Sequence, residues 1–228
     1  MDLSVVIPLY NARCIVENSV RRLTSVLDDR HLDYEILLRD DGSADGTKEL
    51  LDGVSRTFPA VRWSHNPVNS GLGATLRALW QEAKGEYIIY CDCDLPFSEK
   101  IIPILWEEIQ DSDIVVASRY KGGMQSYIRP LRRLTSRIYY IFCKGLFHTT
   151  VSDLGSGSVA VRKDALRKLE LKAKGFDIHI EFYVKAQRAG LFIKEIAAEA
   201  VEERGGSFCL WKHGLRVVWQ TLRLRWEL

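Results

Sequence analysis

Length, composition and charge limit the fold and the partners of this chain. It has 228 residues, enough for one sizeable α/β domain with its own core, and no second domain is required. Hydrophobic residues make up 46% and charged residues 27%, which argues against intrinsic disorder. The formal net charge of +2 argues against bulk nucleic-acid binding, so we expect local basic clusters at 129–137 and 212–225 to decide the partners.

The cysteines and the N-terminal residues predict the cellular setting. Five cysteines are scattered without a C-x-x-C pair, which favours reduced thiols over a disulfide framework. The N-terminal stretch LSVVIPLYN lacks the basic start and the small-residue cleavage site of a signal peptide. No apolar run approaches the ~18 residues that a spanning helix needs. We therefore expect a cytoplasmic protein that does not cross a membrane by itself.

Strand-like and helix-like segments alternate through the first half of the chain. Apolar runs predict strands at 3–8, 34–40, 61–66, 87–92 and 113–119. Helices are expected at 18–27, after the turn at 41–47, at 73–83 and at 100–109, the last with Ser98 as its cap. This alternation predicts a single α/β domain whose mostly parallel central sheet is flanked by helices.

The second half is less regular. Residues 129–147 mix arginines with IYYIF and predict an amphipathic helix. A strand that runs into a helix is expected at 157–166, and a helix that Gly190 ends is expected at 177–190. The last elements are a strand at 192–203 and a helix at 211–226.

Polar residues follow the ends of four predicted strands. In open parallel sheets, ligands bind at the carboxyl ends of the strands. The sequence therefore predicts a ligand site at that edge of the sheet. The residues concerned are Tyr10 and Asn11, Asp40 and Asp41, Asp92 and Asp94, and Arg119.

The two acids after the fourth strand suggest a metal site. On an extended chain, the side chains of Asp92 and Asp94 point to one side and Cys93 points away. At about 6–7 Å and an effective dielectric near 20, their repulsion is roughly 2–3 kcal/mol. A divalent cation relieves it, and Mg²⁺ or Mn²⁺ prefers carboxylate and phosphate oxygens. The alternative is a solvated acidic turn. Cys91 and Cys93 have no second pair at zinc spacing, which favours packing roles.

Eight segments occur in the order seen in a known enzyme class. They are VVIPLYN, DDGSADGT, SGLGATLRAL, GEYIIYCDCDL, ASRYKGG, RRLTSR, DLGSGSVAVRKDAL and GFDIHIEFYVKAQRAG. Over about residues 3–207, the chain resembles the inverting nucleotide-sugar glycosyltransferases. It is most similar there to dolichyl-phosphate mannose synthases and related polyprenyl-phosphate glycosyltransferases. The resemblance implies a Rossmann-like nucleotide-sugar-binding domain of the glycosyltransferase A type.

The resemblance implies a donor site and a metal site. Asp92 and Asp94 would bind Mg²⁺ or Mn²⁺, and Asp41 would accept hydrogen bonds from the base. Asp40 and Asp41 are also explained by a capped turn, and the glycines of GLGATL by helix packing under the donor. The residues that match nucleotide-sugar-binding positions are Pro8, Leu9, Tyr10, Asn11, Asp40, Asp41, Gly73, Asp92 and Cys93.

The resemblance also implies a site for the phosphate of a lipid acceptor. A phosphate monoester is largely dianionic near neutral pH, with a second pKa of about 6, so arginine forks rather than a general base are needed. The alternative for the arginine-rich segment is a solvated helix face, although the interleaved residues 139–142 favour contact with lipid. The matching residues are Arg119, Arg132, Ser136 and Arg204, and the implied catalytic set is Asp92, Asp94, Arg119 and Arg132.

Some positions depart from the family pattern. Pro96 stands where mannose synthases usually have a glutamine as a further metal ligand. The other departures, at Ala12, Arg39 and Ser158, leave the donor open between GDP-mannose and a UDP-hexose. The family's D-x-x-S-G element is matched at 153–157. Glu181 matches an acid behind the site, and is otherwise explained as a buried partner for Lys or Arg.

The C-terminal helix has a basic, tryptophan-rich pattern. Residues 1–209 are expected to form the catalytic domain, and 210–228 an amphipathic helix at the membrane interface. At about 1 kcal/mol per basic residue, four of them would give at most ~4 kcal/mol of reversible binding. The alternatives are packing on the core or on a second subunit. The apolar stripe consists of Trp211, Leu215, Val218, Leu222 and Trp226.

The expected function is sugar transfer with inversion from a nucleotide-sugar to a polyprenyl or dolichyl phosphate. We expect peripheral contact with the cytosolic face of a membrane, no nucleic-acid partner, and either a homo-oligomer or a membrane subunit. Two rival functions stay open: transfer to a sugar or protein hydroxyl, and a catalytically silent membrane-docking subunit that keeps the fold.

Overall fold

A seven-stranded sheet forms the centre of the computed structural model, which describes residues 1–121, 130–199 and 210–227. The strands are β1 (Leu3–Leu9), β2 (Tyr34–Asp40), β3 (Val61–His65), β4 (Tyr87–Cys91), β5 (Ile114–Ser118), β6 (Ser158–Arg162) and β7 (Ile193–Ala197). Their order across the sheet is β3-β2-β1-β4-β6-β5-β7. The predicted strands are therefore all found, although β7 ends at Ala197 and residues 200–203 of the predicted strand lie outside the described residues.

Eight α-helices are described around this sheet. They are α1 (Val16–Asp28), α2 (Thr47–Thr57), α3 (Leu72–Glu82), α4 (Ile101–Glu108), α5 (Pro130–Phe147), α6 (Lys163–Arg167), α7 (Ile178–Arg188) and α8 (Leu210–Glu227). Gly190 follows α7 with a φ of 70°, as expected for a glycine that ends a helix. The cap predicted for α4 is wrong. Ser98 has a φ of 60° and donates a hydrogen bond to Glu99, while Lys100 precedes the helix without a side-chain cap.

Strand direction decides which loops reach the predicted ligand edge. β1, β2, β3 and β4 are mutually parallel, and β5 is parallel to β7. β6 is antiparallel to both β4 and β5, so it begins where they end, with Ser158 opposite Cys91. The segment that precedes β6 therefore enters the same edge at which β1, β2, β4 and β5 deliver their polar residues.

The core lies on both faces of the sheet, because the strands are apolar on both sides. Val5 and Ile7 face a cluster formed with α1, α2 and α4, and Val6 faces a second cluster formed with α3, α5 and α7. Truncation of a fully buried leucine such as Leu79 would cost about 2–5 kcal/mol. The sheet is thus a rigid frame for the side chains at its edge.

Candidate active site

Asp92 and Asp94 lie in a turn directly after β4, which ends one residue earlier than predicted. The backbone N–H of Leu95 donates to the Asp92 carbonyl oxygen at 3.0 Å and closes this turn. Both carboxylates are partly exposed, whereas Cys93 and Leu95 are buried. The Cys93 side chain therefore packs in the core, while Asp92 and Asp94 are partly open to solvent and one Asp94 oxygen, Oδ1, is buried. A nucleotide contact at Cys93 stays a prediction, and it would fall to the backbone.

Neighbouring residues hold Asp92 in place. Its backbone N–H donates to the Gly157 carbonyl oxygen at 2.8 Å, and its Oδ1 accepts a hydrogen bond from the Tyr90 hydroxyl. Burial, together with the Asp92 charge, raises the pKa of Tyr90 well above its usual value, so this hydroxyl stays a neutral donor. A Cβ at Gly157 would lie 2.4 Å from Asp92 Oδ2. Glycine at this position thus leaves room for the carboxylate.

The donor set at this turn suits a hard divalent cation. The described ranges contain no cluster of three or more His, Cys, Asp or Glu residues that could hold a metal. Mg²⁺ is commonly bound by one or two carboxylates, with substrate phosphates and water completing its coordination. Asp92 and Asp94 fit that pattern, whereas the Pro96 side chain supplies no oxygen. The paired acids therefore fit a metal that is completed by a diphosphate.

Arg119 follows β5 and is fixed by Asp153. Its Nε and Nη2 donate to different oxygens of Asp153, both at 2.8 Å, and its backbone N–H donates to Oδ2 at 3.0 Å. Burial lowers the pKa of Arg119, but the charges of Asp153 and Asp92 outweigh this and raise the pKa above its usual value. The guanidinium is therefore a permanent cation, and it lies near enough to the paired acids to sense Asp92.

The residues after β1 form an open polar rim. Tyr10 is 49% exposed, and Asn11 is exposed with a φ of 52°. The backbone N–H of Asn11 donates to Ser43 Oγ at 2.8 Å, and its Oδ1 accepts from Ala44 N at 3.0 Å. Pro8 is partly exposed, but the Leu9 side chain lies in the core. Tyr10 and Asn11 are thus available to a ligand, while a contact at Leu9 would use the backbone.

The paired acids after β2 both stabilise turns. Asp41 Oδ1 accepts from Asn66 Nδ2 at 2.7 Å and from Ser70 N at 2.8 Å, and Oδ2 accepts from Gly71 N at 3.0 Å. Asp40 Oδ2 accepts from Ser43 N at 3.2 Å. These bonds match the turn interpretation for both residues. A contact between Asp41 and the base stays a prediction.

A cleft opens beside these turns. It has a volume of about 430 Å³ and is lined by residues that include Asp40, Lys48 and His65. Asp40 Oδ1 is buried and accepts no hydrogen bond from a described residue. Ser43 lines this cleft and also accepts the hydrogen bond from Asn11 N, so the cleft lies beside the rim that carries Asn11.

Gly73 has a structural reason to be glycine. Its N–H donates to the Lys174 carbonyl oxygen at 2.9 Å, and a Cβ there would lie 2.5 Å from the Ala173 carbonyl oxygen. This supports the packing interpretation of the GLGATL segment, and contact with the donor stays a prediction.

Glu181 stabilises the loop at residues 172–174 that Gly73 contacts. It accepts from the backbone N–H groups of Lys172 and Ala173 and pairs with Lys185 Nζ at 2.7 Å, as expected for a buried partner of lysine.

The other predicted acceptor residues are located only in part. Arg132 and Ser136 lie on α5, but their side chains are outside the part of the chain that the structure describes. Arg204 lies wholly outside the described residues. Their roles stay predictions.

Sequence reasoning missed several contacts at this edge. It matched 153–157 to a family element, but it did not pair Asp153 with Arg119 or place Gly157 against Asp92. Both contacts depend on the reversed direction of β6, which brings its preceding loop to the ends of β4 and β5. The hydrogen bond from Tyr90 to Asp92 was also missed, although the i, i+2 spacing on a strand is a signal for it.

The sequence of this chain is similar to the sequences of known glycosyltransferases. The profile of Glycosyl transferase family 2 matches residues 4–170. The chain is 32% identical over 191 residues to the dolichol-phosphate mannosyltransferase of Pyrococcus furiosus, a match that covers 82% of this chain and 53% of that protein. It is 25% identical to glycosyltransferase AglD of Haloferax volcanii, covering 100% of this chain and 38% of AglD. The chain thus spans about half the length, or less, of these two relatives.

A third match extends over nearly the whole of both chains. The undecaprenyl-phosphate mannosyltransferase of Micrococcus luteus is 25% identical over 99% of both chains. Among solved structures, the fold is similar to that of glucosyl-3-phosphoglycerate synthase from Mycobacterium tuberculosis in complex with UDP, with a TM-score of 0.74. The two sequences are 22% identical, and the match covers 98% of this chain and 79% of that one. Another structure of that enzyme, with a TM-score of 0.72 and 22% identity, contains Mn²⁺, UDP-glucose and phosphoglyceric acid and covers the same shares of the two chains.

The fold is therefore that of the glycosyltransferase A type, and the expectation drawn from the sequence motifs is confirmed. Because the family profile extends over most of the chain, the chain belongs to Glycosyl transferase family 2.

Proposed function

We propose that this protein transfers a sugar, with inversion, from a nucleotide-sugar to a polyprenyl or dolichyl phosphate. The observation that carries the proposal is the placement of a fixed arginine beside a pair of acids at one edge of the sheet. Arg119 offers a cation for an acceptor phosphate, and Asp92 and Asp94 offer oxygens for a metal–diphosphate. The names of the two mannosyltransferase relatives support a lipid-phosphate acceptor.

Different residues on this edge would bind the donor and the acceptor. Asp92 and Asp94 would hold Mg²⁺ or Mn²⁺, which neutralises charge on the departing diphosphate when it is bound. Arg119 binds and orients the acceptor phosphate, and it stays charged because Asp153 keeps its pKa high. The acceptor needs no general base, since a phosphate monoester is already largely dianionic near neutral pH. Tyr10 and Asn11 line the open side on which the nucleotide would bind.

The proposal includes peripheral contact with a membrane through α5 and α8. Within the described ranges, no helix is both long enough and apolar enough to cross a bilayer. On α8, Val218, Trp219, Leu222 and Trp226 are exposed, and Trp226 is 90% exposed. Thr221 and Leu224 are the buried side chains described on this helix, so one face of α8 packs on the core and the exposed stripe lies on the other face.

Helix α5 carries a second apolar stripe next to the first. Leu134, Ile138 and Ile141 are 56–60% exposed at steps of four and three residues. The two helices are joined where the Tyr139 and Thr221 hydroxyl groups lie 2.6 Å apart. Exposed basic residues accompany both stripes, at Arg137, Lys144, Arg223 and Arg225. An apolar face with basic flanks fits the interface of an anionic bilayer, with residues 1–209 as the catalytic domain above it.

Donor binding and transfer test the function directly. Calorimetry with GDP-mannose, UDP-glucose and UDP-GlcNAc, with and without Mn²⁺, identifies the donor, and transfer is then assayed with undecaprenyl or dolichyl phosphate against a soluble hydroxyl acceptor. We expect Mn²⁺-dependent binding of one donor and transfer to the lipid phosphate only. Asp94→Ala should abolish transfer while the protein stays folded by circular dichroism. Undiminished transfer in that variant would exclude the metal role, and no donor binding at all would favour a silent subunit.

Vesicle flotation tests the membrane contact. We expect binding to vesicles that contain anionic lipid, weaker binding at high salt, and loss of binding in the double variant Trp219→Glu, Trp226→Glu. Equal flotation of the variant and the unchanged protein would show that α8 is not the contact.

A further inference from the structure

We propose that Glu195 is a positioning residue for Arg119 and that it acts through Asp153. The inference rests on the proposed function, because it assumes that Arg119 binds the acceptor phosphate. Glu195 lies on β7 at the margin of the sheet, and no sequence motif singled it out. It forms no hydrogen bond or ion pair with Arg119, so its effect would pass through the loop that contains Asp153.

The guanidinium of Arg119 is held on three sides. Nε and Nη2 form a fork on Asp153, and Nη2 also donates to the Gly155 carbonyl oxygen at 2.6 Å. The Phe97 ring lies under the guanidinium, with its centroid 5.8 Å from Cζ. Nη1 donates to no described residue, so its two N–H groups are the part of Arg119 left for a ligand. The direction of Nη1 is therefore set by the position of Asp153.

Asp153 has a fixed position because Glu195 holds its backbone. Oε1 of Glu195 accepts from Ser152 N at 2.9 Å, from Ser152 Oγ at 2.8 Å and from Asp153 N at 3.2 Å. One carboxylate oxygen thus collects three hydrogen bonds from two successive residues. The Asp153 side chain is 2% exposed and that of Arg119 is 12% exposed, so water has little access to compete for this pair.

The sheet itself places Glu195 under the loop. β7 is parallel to β5, and Glu195 is in register with Val116, three residues before Arg119. The hydroxyl groups of Ser118 and Ser152 lie 3.1 Å apart and tie the end of β5 to the same loop. Tyr183 lies close by, and its pKa is raised well above its usual value by burial and by the charges of Asp153 and Glu195, so it adds no third negative charge. Arg119 and the residues that support it are therefore tied to the ends of β5 and β7.

Removal of the Glu195 carboxylate would leave Ser152 and Asp153 without their acceptor. The loop would relax, and the Arg119 fork would turn with it. Since a misplacement of about 1 Å at a reacting group can cost about 100-fold in rate, a small shift of Nη1 should be visible in catalysis. The loss should appear in the use of the acceptor phosphate and not in the binding of the donor.

The test compares three variants of the full chain under steady-state conditions. Glu195→Ala removes the acceptor oxygen, Glu195→Gln keeps Oε1 in place, and Lys194→Met is the matched control, because Lys194 on the same strand pairs with Glu108 instead. For Glu195→Ala, we expect the KM for polyprenyl phosphate to rise at least about 10-fold, while donor affinity by calorimetry changes less than about 2-fold. Glu195→Gln and Lys194→Met should both stay within about 3-fold of the unchanged protein.

A double-variant cycle tests the route through Asp153. If Glu195 acts through Asp153, then Glu195→Ala should add little to the loss already caused by Asp153→Asn. If Glu195→Ala does not fold, Glu195→Asp replaces it, because aspartate is shorter by one methylene and moves the accepting oxygen away from the loop. The KM for polyprenyl phosphate should again rise. An unchanged acceptor KM, or additive losses in the double variant, would overturn the inference. Absence of lipid-phosphate transfer in the unchanged protein would instead refute the proposed function.

Discussion

Substitution of Gly157 by alanine is the sharpest test of the paired acids as a metal site. The added Cβ would lie 2.4 Å from Asp92 Oδ2, 2.8 Å from Pro96 Cγ and 3.1 Å from Asp92 Cγ. Ordinary contact needs about 3.4 Å or more, so the Asp92 carboxylate must move by about 1 Å. Metal–ligand distances tolerate only about 0.2 Å, so the carboxylate would leave its coordinating position.

We expect Gly157→Ala to fold, because its three closest contacts are with the side chains of the partly exposed Asp92 and Pro96 and none is with the backbone. Its affinity for the Mn²⁺–donor complex should fall about 10- to 100-fold, in line with the effect of disturbing the support of a metal ligand. Calorimetric titration with Mn²⁺ and the preferred nucleotide-sugar measures this, with thermal unfolding as the check on folding. Gly53→Ala on α2 is the control, because a Cβ there meets nothing within 4 Å. Affinity in Gly157→Ala equal to that of the control would refute the metal assignment of Asp92.

Three further predictions concern stability. Burial lowers the pKa of His179 to about 4, below its unfolded value of about 6.5, so the unfolded chain binds the proton more tightly. The free energy of unfolding should therefore fall by up to about 3 kcal/mol as the pH drops from about 6.5 to about 4, and in urea titrations His179→Gln should depend less on pH. Glu35→Ala should cost about 2–4 kcal/mol in urea unfolding, because the buried carboxylate accepts from Lys84 N and Ser4 Oγ, both at 2.7 Å; a cost below 1 kcal/mol would show that these donors find other partners. Gly73→Ala should cost about 1–3 kcal/mol, because its Cβ would press on a facing carbonyl oxygen, and an unchanged midpoint would mean that this loop yields freely.

The fold was largely predictable because its signals are local. β2 has the predicted bounds of 34–40, since an apolar run followed by turn residues defines a buried parallel strand without further information. The two acids were placed correctly at the carboxyl end of β4 for the same reason, while the binding of a ligand there stays a prediction. Ser98 failed as a cap because its left-handed backbone belongs to a turn that precedes α4, and no residue pattern distinguishes that turn from a cap.

The connections within the site were harder to predict, because they depend on sheet order. Asp153 reaches Arg119 only because β6 is inserted in reverse between β4 and β5, and Glu195 reaches the loop only because β7 pairs with β5. Sequence separations of 34 and 42 residues give no local sign of either contact. The exposure of Trp219 and Trp226 also required the structure, since an amphipathic stripe alone is equally consistent with burial.

The loop at residues 153–157, which precedes β6, contacts both Arg119 and Asp92. At one end Asp153 binds Arg119, which we propose for the acceptor phosphate, and at the other end Gly157 lies against Asp92, which we propose for the cation. Any free energy that this loop transmits must act equally in both directions, since thermodynamic linkage is reciprocal. The factor by which a bound donor alters acceptor affinity would then equal the factor by which a bound acceptor alters donor affinity, and the stiffness of five residues would set its size.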